Sequence, residues 1–283
     1  MSTCIYTNSA GASFNLLDFQ NVKLKDAQLH KYSWNAEAVK YKFGELLQTF
    51  TKDAQVFSAK FKVFGSAAER REKLNTFHDA TEHDIMLTQP GTLTVDGYTI
   101  ECYVIESDTT APENQELETT NDVTIYCPFP FWLKETKYEI ESSGTDMVVD
   151  GLDFPFDLPC DLGVAGYRKV IPFNTTIPLD FRIVVYGVVT DPSIYINGHL
   201  YKVNVTVPQN STLTISSIEK NDREKGVFIT YPSGNTTSVL YARDRNSYIF
   251  EPIKGSGNIV VSSTQAMKFD LYIIEKRSEP KWI

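Results

Sequence analysis

The chain has 283 residues, of which 42% are hydrophobic and 22% charged, and its formal net charge is −9. This length accommodates two domains or one large β-domain, and the composition is that of a globular chain able to build a full core without metal or disulfide. Affinity for nucleic acid or an anionic membrane through the overall field needs an excess of Lys and Arg, and the acidic balance and lack of any basic run exclude it.

Residues 1–65 lean to β. Val39–Phe50 fits a strand or a short helix, with Gly44 weighing against the helix. Val56–Phe64 alternates, placing Phe57, Ala59, Phe61 and Val63 on one face and Lys60 and Lys62 on the other, which predicts a strand with one buried side. A helix is predicted over 66–84. Ser66 and Glu69 have the spacing of a capping box, Glu69 precedes Lys73 by four residues, and Leu74, Phe77, Thr81 and Ile85 mark the inner face. After Pro90-Gly91 the period becomes two, and Asp96-Gly97 joins Thr92–Val95 to Tyr98–Ile105 as a tight hairpin. Residues 106–122 read as a polar loop with six acidic and no basic residues. The next strand, Asp122–Cys127, is ended by Pro128-Phe-Pro-Phe-Trp132, whose prolines cannot donate to a ladder.

The second half reads as β almost throughout. Leu152–Pro159 is a stiff, Pro- and aromatic-rich packing segment. Phe181–Thr190 is a strong strand, and Ile194–Ile196 and His199–Val207 flank a second hairpin turn, Asn197-Gly198. Thr212–Ser217, Val227–Tyr231, Ser238–Tyr241, Tyr248–Glu251, Ile259–Ser262 and Phe269–Glu275 complete the strand candidates, at the turn spacing of a sandwich or barrel.

Chemistry demands a constellation, and the sequence offers none. It contains no G-x-S-x-G elbow, P-loop, G-x-G-x-x-G after a strand, or H-E-x-x-H. His78 can pair with Glu82 and Asp79 with His83 along the helix. His78 and His83 are five apart and face different directions, so they cannot close on one metal. His30 and His199 stand alone. Asp150, Asp153 and Asp157 could supply a carboxylate pair, but Asp among Pro and Gly serves turns. Cys4, Cys102, Cys127 and Cys160 are widely spaced without a C-x-x-C, and read as free, mostly buried thiols made in a reducing cytoplasm. Cys127 or Cys160 as a nucleophile would need a base and an orienting partner. No signal peptide or membrane-spanning stretch is evident, so the N-x-Thr sequons at Asn174, Asn204, Asn210 and Asn235 read as Thr-rich strands and turns. The expectation is therefore a chain that is not an enzyme, with no catalytic, cofactor-binding or metal-binding residue and no cofactor.

Several strings occur together and in order: Glu69-Arg-Arg-Glu-Lys-Leu-Asn-Thr-Phe-His-Asp-Ala80 with Glu82, Asp84 and Ile85; Pro90-Gly91; Tyr98-Thr-Ile-Glu-Cys-Tyr103; Val123-Thr-Ile-Tyr-Cys-Pro-Phe-Pro-Phe-Trp132; Leu152-Asp-Phe-Pro-Phe-Asp157; Asn197-Gly198; and Arg277-Ser-Glu-Pro-Lys-Trp282. In these the chain resembles the distal tail protein family of long-tailed (siphovirus-type) bacteriophages and prophages. The resemblance implies a mainly β fold: an N-terminal β-rich ring-forming domain over 1–133 that carries the one helix, and a C-terminal galectin-like antiparallel β-sandwich over 134–283. It implies a hexameric ring at the tail tip of the virion, assembled in the bacterial host cytoplasm. That ring joins the tail tube to baseplate, tail-tip and receptor-binding proteins, and DNA passes through its lumen without specific binding. Segments 1–35, taken as irregular, and 106–122 are the expected contacts between subunits. The alternative is a carbohydrate-binding module that recognises host cell-surface saccharide. An exposed Trp would serve it, and the second half has only Trp282 at its end, apart from Trp132 at the boundary.

Overall fold

The computed structural model describes residues 3–18, 20–109, 117–141, 147–150, 164–219, 225–254 and 256–281. Leu152–Pro159, with Asp153 and Asp157, lies outside the described residues, as do Cys160, Trp282 and the side chain of Asp150. The chain divides into two units, Met1–Lys134 with Lys276–Ile283, and Glu135–Glu275. The segment Lys276–Ile283 thus groups with the first unit, whereas the expected division placed it in the second.

The first unit comprises β1 (Cys4–Thr7), β2 (Ser13–Asn15), β3 (Val22–Ala27), β4 (Asn35–Lys40), β5 (Glu45–Thr51), β6 (Gln55–Phe64), α1 (Ala67–Leu87), β7 (Gly91–Val95), β8 (Tyr98–Thr109) and β9 (Glu118–Cys127). The long strand β8 belongs to two antiparallel ladders. Its first half pairs with β7, which continues to β1 and β2. Its second half pairs with β9, which continues to β6 and β3. The hand-over is a β-bulge between Val104 and Glu106, which leaves Ile105 out of the register and 51% exposed. At the β7–β8 turn Asp96 and Gly97 take φ of 49° and 83°, the left-handed pair that a tight hairpin requires.

Helix α1 packs on β6 and β8. The predicted capping box is present: Ser66 accepts from the Glu69 N–H, and the Glu69 carboxylate accepts from the Ser66 N–H. Phe77 is buried among aromatic rings, with centroids 5.1 Å from Phe61, 5.1 Å from Phe14 and 6.1 Å from Tyr6. Alternating β6 delivers Phe57, Ala59, Phe61 and Val63 to this core as predicted.

Three expectations are corrected here. The helix runs three residues past 84, and its inner face ends on Asp84, which is buried, while Ile85 is 41% exposed. Segment 1–35 is not irregular: it holds β1, β2 and β3 and buries Cys4, Tyr6, Leu16, Val22 and Leu24. Strands β1 and β2, of four and three residues, present too few alternations to show a period, whereas Val22-Lys-Leu-Lys in β3 does alternate. Of 106–122, the described residues 106–109 and 118–122 are paired backbone, with Ser107 opposite Val123 and Thr109 opposite Asn121, while 110–116 lie outside the described residues. Thr119 and Asn121 there are buried polar residues, so polarity concealed a strand.

The second unit holds β10 (Trp132–Glu141), whose first residues lie in the first unit, β11 (Met147–Asp150), β12 (Val164–Asn174), β13 (Asp180–Tyr186), β14 (Val189–Thr190), β15 (Ser193–Ile196), β16 (His199–Lys202), β17 (Thr206–Val207), β18 (Thr212–Ser216), β19 (Gly226–Thr230), β20 (Thr236–Ser238), β21 (Ser256–Ser263) and β22 (Lys268–Arg277). One sheet has the order β10-β22-β13-β18-β19-β20 and another β11-β12-β21-β15-β16, with β14 and β17 as a separate pair. Phe181, Ile183, Leu213, Phe269 and Leu271 from the first and Ile171, Ile194, Ile196, Ile259 and Val261 from the second share one core, which makes this unit an antiparallel β-sandwich. Asn197 and Gly198 turn the β15–β16 hairpin with φ of 50° and 81°. Tyr248–Glu251 is turn, not strand. Strand β10 was concealed by its charges. Lys137 joins Glu139 at 2.7 Å and buried Asp270 at 3.1 Å, and Asp270 also accepts from the Tyr186 hydroxyl at 2.6 Å.

The buried end of α1 is fixed by Asp84. One carboxylate oxygen accepts from the Ser9 N–H at 2.8 Å and the Ser9 hydroxyl at 2.6 Å, and the other accepts from the Tyr6 hydroxyl. Burial, and then the adjacent Asp84, push the Tyr6 pKa up, so the phenol remains a donor. Thr88 ends the helix in the left-handed conformation (φ 54°). Gly91 passes so close that an added Cβ would lie 2.4 Å from the Asp84 carboxylate and 2.5 Å from the Tyr6 oxygen. Gly91→Ala therefore breaks a buried hydrogen-bonded group, and urea titration should show a loss of about 2–4 kcal/mol. A loss below about 0.5 kcal/mol would contradict the close approach.

Candidate functional site

The described residues offer their clearest surface feature between 31 and 51, where every residue is exposed. Strands β4 and β5 pair only with each other among the described residues, from Asn35 opposite Thr51 to Lys40 opposite Glu45, and Gly44 (φ 86°) closes the tip. A two-stranded hairpin with no second layer is marginal in water. This one carries Val39, Tyr41, Phe43, Leu46, Leu47 and Phe50, all exposed, with Phe43 at 88% and Tyr41 at 62%. Ala36, Ala38, Leu47 and Phe50 share one face by register, and Val39 and Leu46 lie on the other. Among the described residues no further strand pairs with either outer edge. An arm that is apolar on both faces and open at both edges has the properties of an interaction surface.

The arm is clamped at its root. Lys52, directly after β5, donates to the Pro130 carbonyl at 2.6 Å. Its ammonium lies 4.7 Å from the Phe131 ring centroid, 5.6 Å from Trp34 and 5.8 Å from Tyr32. Trp34 and Phe131 are themselves 5.8 Å apart, and the Asn35 amide donates to Asp53 at 2.6 Å across the base of the hairpin. Pro128 and Pro130, which end β9, thus also fix the Phe131 ring and the carbonyl that hold the arm. The ring faces and the carbonyl favour the charged ammonium, but burial outweighs them and lowers the Lys52 pKa to about 8.

A second apolar surface lies elsewhere on the first unit. The bulged Ile105 lines a concavity with Ile85 and Met86 at the C-terminal end of α1, and His78, Thr81, Glu82, Glu106 and Ser107 line it too, the Glu106 carboxylate accepting from the Thr124 hydroxyl at 2.8 Å. Met86 is 80% exposed. A neighbouring concavity between β6, β8 and β9 is lined by Asp26, Glu106, Asp108 and Asp122, with Lys60 paired to Asp122 at 3.0 Å.

The residues singled out for chemistry do not converge. His83 lies 3.3 Å from the Ser9 hydroxyl and 3.6 Å from Asp84, so it joins the helix anchor and not an Asp79 pair. The His78 ring packs on Phe77. His30 faces Glu279 at 3.5 Å, and His199 contacts the Tyr248 carbonyl at 2.9 Å. Cys4, Cys102 and Cys127 are free and buried. Burial pushes the Cys4 thiol up to about 12, and the neighbouring Cys127 and burial raise that of Cys102, so neither is a thiolate at neutral pH. Among the described residues no three His, Cys, Asp or Glu side chains are placed to hold a metal ion, and no helix is long and apolar enough to cross a membrane. Trp132 is fully buried and packs on Phe57, so it presents no face to a sugar ring.

Sequence reasoning missed the arm because apolar residues at strand spacing ordinarily mean core. The available signal was their density on both faces, interleaved with Lys40 and Lys42 around a Gly turn.

The fold has solved counterparts. The crystal structure of the SPP1 Dit (gp 19.1) protein, described as a paradigm of the hub adsorption apparatus in phages infecting Gram-positive bacteria, superposes with a TM-score of 0.58 at 12% identity, over 97% of this chain and 98% of that one. Chains of the phage P2 baseplate in its activated conformation match with TM-scores of 0.53 with calcium and 0.54 with strontium. They are 10% and 11% identical, and each match covers 98% of this chain and 99% of the other. No family model and no curated protein matches the chain.

Lys52 gives the root clamp a titration signature. An unfolded lysine titrates near 10.4, and in the folded chain the value is about 8. Between those values the unfolded state holds more protons, so stability rises with pH across the window. In urea titrations at pH 7 and pH 10, the stability of the wild type relative to Lys52→Met should increase with pH. A constant difference would contradict a half-buried Lys52 whose charged form is disfavoured by desolvation.

Proposed function

We propose that the chain is a non-catalytic structural subunit of a phage tail tip, a distal tail protein that assembles as a ring of six and connects the tail tube to baseplate and receptor-binding proteins. The observation that carries this reading is the full-length likeness of fold to the SPP1 Dit protein and to phage baseplate chains. The first unit, β-rich and bearing α1, is assigned the ring. The second, the sandwich, is assigned the outward contacts.

Four features support the reading. The arm over 35–51 exposes apolar surface that assembly would cover. A head-to-tail ring requires two different complementary patches on each subunit, and the first unit has both the arm and the Ile85–Met86–Ile105 surface. The net charge of −9 suits a channel wall that lets DNA pass, since a Lys- and Arg-rich wall would retain it by counterion release. Buried free thiols fit assembly in a reducing host cytoplasm before incorporation into the virion.

The test is native mass. Six chains of 32.0 kDa give a particle of about 192 kDa by light scattering or native mass spectrometry. A chain that stays at 32.0 kDa at every concentration, alone and with a tail tube protein, would contradict the ring.

A further inference from the structure

We infer that Cys102 and Cys127 form a latent disulfide site: they close into one intramolecular bond when the folded chain meets a low-molecular-weight disulfide outside a reducing compartment. The bond locks β8 to β9 at the point where β8 passes from one ladder to the other. It does not depend on the tail-tip reading, which supplies only the change of compartment.

The geometry places the two sulfurs together. Tyr103 stands opposite Tyr126, and one residue further along the same register Cys102 stands opposite Cys127. Opposed residues in an antiparallel ladder have Cα atoms about 4.5 or 5.5 Å apart, and both lie within the span of about 4.4–6.8 Å that a disulfide bridges. Both side chains are fully buried, and the two thiols are in hydrogen-bond contact. The Leu93 N–H donates to the Cys102 sulfur and holds it in place. Cys4 sits apart from this register, on β1 opposite Val95.

The position is one where backbone pairing is interrupted. Cys102 is the last residue of β8 that pairs with β7, opposite Gly91. Cys127 is the last residue of β9, and Pro128 after it has no N–H with which to continue the ladder. A covalent link there joins the two ladders on the strand they share. It also backs the helix anchor, because Gly91 is the residue that passes against Asp84 and Tyr6.

The exchange balances without a further reductant or oxidant. Fraying of the end of β9 exposes Cys127, whose thiol loses its proton and attacks one sulfur of the small disulfide, expelling one thiolate. Cys102 then loses its proton and attacks the Cys127 sulfur of the mixed disulfide, expelling the second thiolate. Two electrons pass from the cysteines to the small disulfide, and the two protons end on the released thiols. Burial and the raised pKa of Cys102 make the closed chain slow to react, so it stays a dithiol through folding.

Thiol counting and peptide mapping on the full chain test this. The chain is held just below its melting midpoint in oxidised and reduced glutathione until the thiol count stops changing, then alkylated in denaturant. Two of the four cysteines should remain alkylatable, and the unalkylated chain should be lighter by two hydrogens. A non-reducing digest should give one linked pair of peptides, carrying Cys102 and Cys127, from chains of monomer mass on a denaturing gel. The oxidised chain should melt roughly 5 °C above the chain kept in dithiothreitol. The double variant Cys102→Ala, Cys127→Ala should melt identically in both buffers; if it does not fold, the wild-type count and map decide alone. Four alkylatable thiols at the end point, glutathione adducts without a linked pair, or a link through Cys4 or Cys160 would overturn the site. A Cys102–Cys127 link that leaves the melting midpoint unchanged would overturn the lock. None of these outcomes alters the native mass, so the ring reading stands or falls separately.

Discussion

A β-hairpin has two faces, and in water it needs at least one of them covered. The segment over 31–51 departs from this requirement along its whole length, with large apolar residues exposed on both sides of a two-stranded ladder. The apolar surface of one fully buried aromatic or aliphatic side chain contributes roughly 1.5–3 kcal/mol when removed from water. Several such side chains, left uncovered, set the direction in which the molecule changes state: towards assembly. The functional reading depends on that unmet burial more than on any pocket.

The rest of the first unit holds the arm and the Ile85–Met86–Ile105 surface in fixed positions. Lys52 and the rings of Tyr32, Trp34 and Phe131 define the angle at which the hairpin leaves the body. Asp84 fastens the end of α1 to β1 through Tyr6 and Ser9. The next turn of the helix face, Ile85 and Met86, is therefore left outward beside the bulged Ile105. Had the inner stripe continued through Ile85, as an apolar periodicity suggests, that surface would be core. A buried carboxylate in place of an apolar residue at the end of the stripe thus leaves apolar side chains exposed at a helix terminus.

Elements governed by local chemistry were legible in the sequence. The Ser66–Glu69 capping box, the Asp96-Gly97 and Asn197-Gly198 turns and the alternation of β6 all appear where residue type and spacing placed them. Elements governed by tertiary pairing were not. The acidic run at 106–122 reads as loop, yet buried Thr119 and Asn121 are strand residues facing inward. Strand β10 conceals its period behind charges satisfied by residues more than a hundred positions away, such as Lys137 with Asp270. The arm was the deepest case. Its composition is that of a core strand, and none of the described residues buries it, so a rule that places apolar residues in the core could not position it.

The central claim is that residues 35–51 are an assembly element. Amide hydrogen exchange compared between the dilute chain and the assembled tail tip tests it directly. The arm amides, open to solvent along both outer edges in the isolated chain, should become strongly protected on assembly, while those of the buried strand β6 exchange slowly in both states. Equal, rapid exchange of the arm in both states would contradict the account.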